Sequence, residues 1–385
     1  MEEVSPSPPT PSPHLRDPRT VAVGAAAAVF VAFLASGLLV QTLNVAFGIW
    51  FTQIFVFLGL GWYVLRATGR EPVRYTRLAF PGLAPVVFGF VLGVVNFFAI
   101  VAPVQYVAQS LLPPAWREIY DVADMFRGQS SLEMAFIVVS VTVVAPLCEE
   151  FFFRGVFFQG LRAPGGPAMR AVLLSAVVFS MFHLDPVGFF ARVELGVLFG
   201  WLLVRTGSLW PAILAHTANN LVSMVLFFSA RHLEMPEQPG SQEQAKGMLM
   251  LVLIGGAVLW ALLAATRRFP SLLGPPRSRE ELEAPEAPIL LMPAPRLLQL
   301  AVPWMLAAVL ALGTYKAVDP LGIQLSRIDR DFPLQSVPEG APDALHAERK
   351  ALYELRVQAR RGEIPLGEYA QERARQSKQK KTDVR

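Results

Sequence analysis

Apolar residues in this chain gather into nine runs separated by short polar segments: Val21–Val40, Val45–Leu65, Leu83–Val107, Ala135–Phe158, Ala171–Phe182, Val187–Val204, Leu209–Phe228, Met248–Ala265 and Leu297–Tyr315. About 20 residues of helix cross the ~30 Å of hydrocarbon in a bilayer; most runs come close to that length, the fifth being the shortest. The runs are continuously apolar and do not alternate. That selects helices over a barrel, because a helix satisfies its backbone polar groups within the segment. The pattern predicts an all-α, polytopic transmembrane helical bundle of eight to nine membrane helices.

The polar segments divide the chain. Residues 1–20, with the Pro/Ser-rich stretch Ser5–Pro13, read as a disordered lead. Residues 21–131 hold the N-terminal membrane helices, 132–230 a helical core that carries the chemistry, and 231–268 a further membrane helix. An exposed polar loop is expected at 269–296, with a Glu/Arg cluster from Arg277 to Glu286, then a last membrane helix at 297–315 and a charged tail at 316–385. In the tail, Asp343–Arg361 and Leu366–Ser377 place apolar residues at near-helical spacing, which predicts two short amphipathic helices joined by Gly362–Pro365. The first run follows Arg16 and Arg19 as a secretory signal would, but eight more runs follow, so it reads as a retained helix.

Arginines set the orientation. Arg16 and Arg19, then Arg66, Arg70, Arg74 and Arg77, then Arg154, Arg162 and Arg170, then Arg205, then Arg267, Arg268, Arg277 and Arg279 fall in alternate loops. The intervening loops carry Glu118, Asp121, Asp124 and Glu133, or Glu234, Glu237 and Glu243. By the positive-inside rule the amino terminus is cytoplasmic, and nine crossings leave the tail outside.

Composition agrees with the pattern: 53% of the 385 residues are hydrophobic and only 17% charged, with mean hydropathy +0.43, against about a quarter charged in soluble proteins. Residues 341–385 hold 11 Lys/Arg and 7 Asp/Glu, which accounts for the net charge of +4 and leaves 23 of each elsewhere. The helical body is therefore neutral, and the basic tail reads as a solvated extension. The expected partners are the lipid bilayer and a membrane-associated protein or peptide substrate, not a nucleic acid. With Cys148 the single cysteine, no internal disulfide can form.

Against this apolar background six residues stand out. Glu149, Glu150 and Arg154 lie in the fourth run, His183 just after the fifth, and His216 and Asn220 in the seventh. An ionisable side chain in hydrocarbon costs roughly 2.5–3.5 kcal/mol on insertion scales, which function usually explains. Counted from the cytoplasmic ends at ~1.5 Å per residue, Glu149, His183 and His216 lie roughly 13, 18 and 10 Å deep, one layer within helix tilt. Glu150 and Arg154 are i and i+4 and can pair, as are His216 and Asn220, which share a face. Glu149 points about 100° away. A carboxylate removed from water suits a general base that activates water, and imidazole and amide groups suit an oxyanion site; together they make a hydrolase acting on a carbonyl. Zinc is the alternative, with Glu149, His183 and His216 as ligands, although no H-E-x-x-H spacing occurs. A proton-coupled transporter also uses buried acids and histidines, but no internal repeat is evident.

The motifs Glu149-Glu150-Phe-Phe-Phe-Arg154, Phe179-Ser-Met-Phe-His183 and His216-Thr-Ala-Asn-Asn220, in that order on successive apolar segments, resemble the CPBP family of intramembrane proteases, which includes the CAAX prenyl endopeptidase and the bacterial Abi proteins. The similarity covers residues 132–230 and includes the lead-in from Arg205 to His216. It implies an intramembrane endopeptidase in a bacterial cell membrane, its site opening to the cytoplasm. Glu149 and His183 would activate the attacking water, His216 and Asn220 would stabilise the oxyanion, and Glu150 with Arg154 would orient the site. The family has been described both as metal-dependent and as glutamate-type; with only two histidines available, no required cofactor is the favoured reading. A non-enzymatic scaffold or immunity protein of the same fold is the remaining alternative.

Other residues have plainer readings. Cys148 is expected to be an inert core thiol, Asn219 faces away from His216, Asp185 is a helix cap, and the phenylalanines around Glu150 pack against lipid or helices. Arg192 and Glu194 in the sixth run have no assigned role.

Overall fold

The computed structural model describes residues 18–41, 44–111, 122–126, 129, 131–162, 168–232, 242–274, 294–318, 320–332, 334 and 342–379. Every element there is helical, and no strand occurs among the described residues. The Pro/Ser-rich lead, Glu118, Asp121, Glu234, Glu237 and the Arg277–Glu286 cluster lie outside them.

Each apolar run forms a helix. They are α1 (Pro18–Gln41), α2 (Val45–Ala67), α3 (Leu83–Leu111), α4 (Ser131–Leu161), α5 (Ala168–Phe182), α6 (Phe189–Thr206), α7 (Trp210–His232), α8 (Gln242–Arg268) and α9 (Ala294–Val318). Six of them, α1 to α4, α7 and α8, contain stretches long and apolar enough to cross a membrane. The helix α5 is shorter, α9 is strongly apolar only over Ala301–Ala311, and α6 carries Arg192, Glu194 and Arg205. The protein is an integral membrane helical bundle.

Loops expected on one side do meet. The Leu209 amide donates to the Arg77 carbonyl (2.9 Å), the Ser208 hydroxyl to Ala79 (2.8 Å) and the Trp210 indole to Leu78 (2.8 Å), joining the loops that follow α2 and α6. At the opposite end, the Asn44 amide and Arg360 both donate to Glu133 at the start of α4. Arg360 belongs to the tail, so the tail sits away from the arginine-bearing loops.

The tail folds as three helices, α10 (Pro320–Asp331), α11 (Asp343–Arg361) and α12 (Leu366–Gln379). The last two were expected; α10 was not. Leu325, Leu352, Ala359 and Tyr369 form their small core, with Asp329 held by Arg356 (2.8 Å), Arg373 (3.1 Å) and the Tyr369 hydroxyl. Gly362 ends α11 at φ 74°, the left-handed conformation that glycine adopts at least cost.

The two largest of the apolar clusters among the described membrane helices tie most of them together. One joins α1, α2, α4 and α5 through Val29, Phe57, Phe152, Phe153 and Phe182; the other joins α3, α6 and α7 through Leu92, Phe199, Leu202 and Ala215. The phenylalanines at 151, 152, 153, 157 and 158 are all buried, so they pack against helices and not lipid. Where α3 crosses α7, a Cβ at Gly93 would run into the Ala215 carbonyl, so only glycine permits this approach.

Several helices are interrupted by wide turns in which an amide bonds five residues back. In α4 the Ala145 amide donates to Ser140, and in α3 the Ala102 amide donates to Phe97. Both turns precede a Val-Ala-Pro sequence, ending at Pro103 and Pro146. A proline inside a helix offers no amide and clashes with the carbonyl one turn back, and the wide turn relieves that clash. Such turns gather at functional sites.

Candidate active site

The second wide turn of α4, Phe151–Phe157, lies directly after Glu149 and Glu150, and the Phe158 amide bonds back to Phe153. The two glutamates diverge from there into different surroundings.

Glu150 is fully buried and its Oε1 accepts from Arg154 Nη1 at 2.9 Å and from His216 Nδ1 at 3.1 Å. A carboxylate only accepts, so Nδ1 is the protonated nitrogen of His216 and Nε2 is turned to the rest of the site. Arg154, also fully buried, lies over the rings of Phe179 (4.4 Å) and Phe199 (5.3 Å), and His216 stacks on Phe199 at 4.8 Å. The expected pair is therefore a three-residue network clamped between aromatic rings, which fixes one imidazole.

Glu149 has no cation bonded to it among the described residues. Its Oε1 accepts from the Gln53 amide of α2 at 2.8 Å, and the residue keeps 7% of its surface exposed where Glu150 keeps none. Glu149 is thus buried, though less completely than Glu150.

His183 follows α5 and is exposed. Its Nδ1 donates to the Phe179 carbonyl at 3.0 Å, which leaves Nε2 free in the neutral ring as well. His183 and His216 both meet Phe179 edge-on, with centroids 5.0 and 5.8 Å away, so the two imidazoles flank one ring. No hydrogen bond joins Glu149 to either histidine among the described residues.

Asn220 owes its place to the wide turn before Pro146. With the Ala145 amide bonded to Ser140 and no amide on Pro146, the Val141 carbonyl lacks its helical donor, and Asn220 Nδ2 supplies one at 2.8 Å. One of the two amide protons is thus committed and the other remains. Asn219, expected to face elsewhere, is buried and donates to Asn220 Oδ1 at 3.0 Å, so it supports Asn220 and does not stand apart.

The charged residues of α6 also have partners. Arg192 donates to the Asp185 carboxylate at 2.7 Å, and the Asn96 amide donates to Glu194 at 2.9 Å. Asp185 accepts from the Val187 amide at 2.8 Å and so closes the turn before α6, whose N-cap is Gly188 and not Asp185 as expected. Cys148 is a buried free thiol. Among the described residues, no three His, Cys, Asp or Glu side chains assemble into a metal-ligating group.

Sequence reasoning missed Gln53, a lone carboxamide inside an apolar run. Its signal was the same one that exposed the glutamates: a polar side chain where only apolar ones are inexpensive.

Residues 131–222, which contain every side chain of this site except Gln53, match the family described as Type II CAAX prenyl endopeptidase Rce1-like. Through this segment the chain is similar to the CPBP family. Over 90 residues it is 31% identical to the "Putative membrane peptidase YdiL" of Bacillus subtilis (strain 168), an alignment covering 23% of this chain and 36% of that protein. The chain thus matches about a third of the length of this relative. No solved structure matches it significantly. The matched segment spans α4 to the middle of α7.

Proposed function

We propose that the protein is an intramembrane endopeptidase of CAAX-protease type that uses a glutamate-activated water and no metal. The observation that carries this reading is the contrast between adjacent carboxylates: Glu150 is bound by a cation and an imidazole, while Glu149 is held by a neutral amide with no cation bonded to it among the described residues. Glu149 takes a proton from water as the oxygen attacks the peptide carbonyl. The ring of His216, anchored through Nδ1 to Glu150, stabilises the developing oxyanion, and the second amide proton of Asn220 adds a donor. His183 helps hold the water through its free Nε2. Glu149 then returns the proton to the leaving amine. The metal-independent form is preferred because only two histidines, His183 and His216, are available to the site.

The substrate class is a membrane-associated protein or peptide cut near the bilayer, with prenylated CAAX sequences the first to try because of the matched family. The site is proposed to open to the cytoplasm of a bacterial cell, supported by the arginine-bearing loops at one end of the bundle and by the Bacillus relative.

The test is reconstitution with a library of internally quenched peptides, with and without a prenylated cysteine, comparing wild type with Glu149→Gln. Cleavage falls by about 10²–10⁴-fold in the variant, as expected for loss of a general base, while the fold persists. Equal cleavage rejects Glu149 as the base, and cleavage of no peptide by wild type rejects the protease reading. Activity persists in strong chelators; its loss there rejects the metal-independent form.

A further inference from the structure

We propose that Gln53 is a positioning residue for Glu149, a role that rests on the reading of Glu149 as the base. Gln53 lies in the wide turn Thr52–Leu58 of α2, is buried at 7% exposure, and donates from Nε2 to Glu149 Oε1 at 2.8 Å. The amide orientation is chemically forced, because turning it would set its own carbonyl oxygen against a carboxylate. Its neighbour Thr52 shares a 3.0 Å hydrogen bond with Ser36 of α1. The turn is therefore anchored to α1 by one residue and to α4 by the next.

Packing does not require an amide here. The α2–α4 contact is made by Phe57 against Phe153 (5.7 Å) and Phe152 (6.1 Å). The Gln53 Oε1 atom is buried with no hydrogen-bond partner among the described residues, a cost that an apolar residue would avoid. The amide does what a cation could not. Lysine or arginine at this position would neutralise Glu149 as Arg154 neutralises Glu150, whereas a neutral donor fixes one carboxylate oxygen and leaves the charge available. The bond to Oε1 fixes the plane of the carboxylate and so aims Oε2 for proton transfer. Two glutamates adjacent in sequence thereby acquire different tasks.

The experiment compares the full-length protein, Gln53→Met, Glu149→Gln and the double variant in proteoliposomes, on the peptide that wild type cleaves best. Methionine keeps the length and removes the donor. The expected result is a kcat loss of roughly 10- to 100-fold, the scale of a misplaced catalytic group, with KM unchanged. In the double variant kcat falls no further than in Glu149→Gln alone, because Gln53 acts only through that carboxylate. Losses that multiply assign Gln53 to general structure and overturn the proposal, and so does a Gln53→Met protein that does not fold. If Glu149→Gln is inactive and Gln53→Met is fully active, the role of Gln53 falls and the base stands. If both retain wild-type rates, the base reading itself falls.

Discussion

Replacing Arg154 with methionine keeps much of the side chain and removes its charge, leaving Glu150 fully buried with His216 as its remaining hydrogen-bond donor. Removing one partner of a buried ion pair costs about 3–5 kcal/mol, because the other charge stays behind without compensation. The upper half of that range applies here. Glu150 Oε2 is already buried without a hydrogen-bond partner among the described residues, so no second donor is at hand there. The guanidinium also loses its places over Phe179 and Phe199, with cation–π contacts worth roughly 0.5–2 kcal/mol. Against a total stability of about 5–15 kcal/mol the loss is severe. Adding Glu150→Gln removes the stranded charge, so the double variant should be more stable than Arg154→Met alone. Unfolding in detergent, followed by tryptophan fluorescence, measures all four proteins. An Arg154→Met protein within about 0.5 kcal/mol of wild type, the range of ordinary surface substitutions, or strictly additive losses, would refute the network.

Three further outcomes are expected. Gly93→Val drives a side chain into the Ala215 carbonyl beside His216; overpacking should cost about 1–3 kcal/mol and lower cleavage, and a variant with wild-type melting and rate contradicts the close approach. Asn220→Ala strips the Val141 carbonyl of its donor and the site of one oxyanion contact, lowering kcat by roughly 10²–10³-fold, while Asn219→Ala costs less; progress curves of equal slope for the two would reverse that ranking. Burial first, and the Asp329 carboxylate next, push the Tyr369 phenol above its ordinary value. The tail helices therefore keep this contribution below about pH 10 and lose it as pH climbs from there toward the raised value. Limited proteolysis of the tail at neutral and alkaline pH, in wild type and Tyr369→Phe, should show the alkaline loosening in wild type alone, and identical profiles would exclude it.

Much of the bundle was legible because hydrocarbon imposes a simple rule: a helix must be apolar where it meets lipid, so each run announces itself. The same rule exposed Glu149, Glu150, Arg154 and His216. The meeting of Glu150 with His216 was not legible, since i and i+4 spacing describes one helix and says nothing of α7 approaching α4. Gln53 is uncharged and stands 96 residues from its partner, with no spacing to link them. Asn219 was set aside on helical phase alone, which overlooks that adjacent amides can bond each other. The last two tail helices were read from their amphipathic spacing. The helix α10 was not, because its apolar positions Ile323, Leu325 and Ile328 come just after the last membrane run.

The Val-Ala-Pro turns have a consequence for comparing relatives of this chain. A turn closed over five residues holds about one residue more than an α turn, and one residue is about 100° of helix rotation. Deleting a single residue from 140–144 would let α4 close up and swing everything after it by that angle, carrying Glu149 away from Gln53. Single-residue gaps between homologues are thus best placed inside these turns, where the helix has slack to absorb them, and a gap set a few positions away would interchange the lipid-facing and site-facing columns of an alignment.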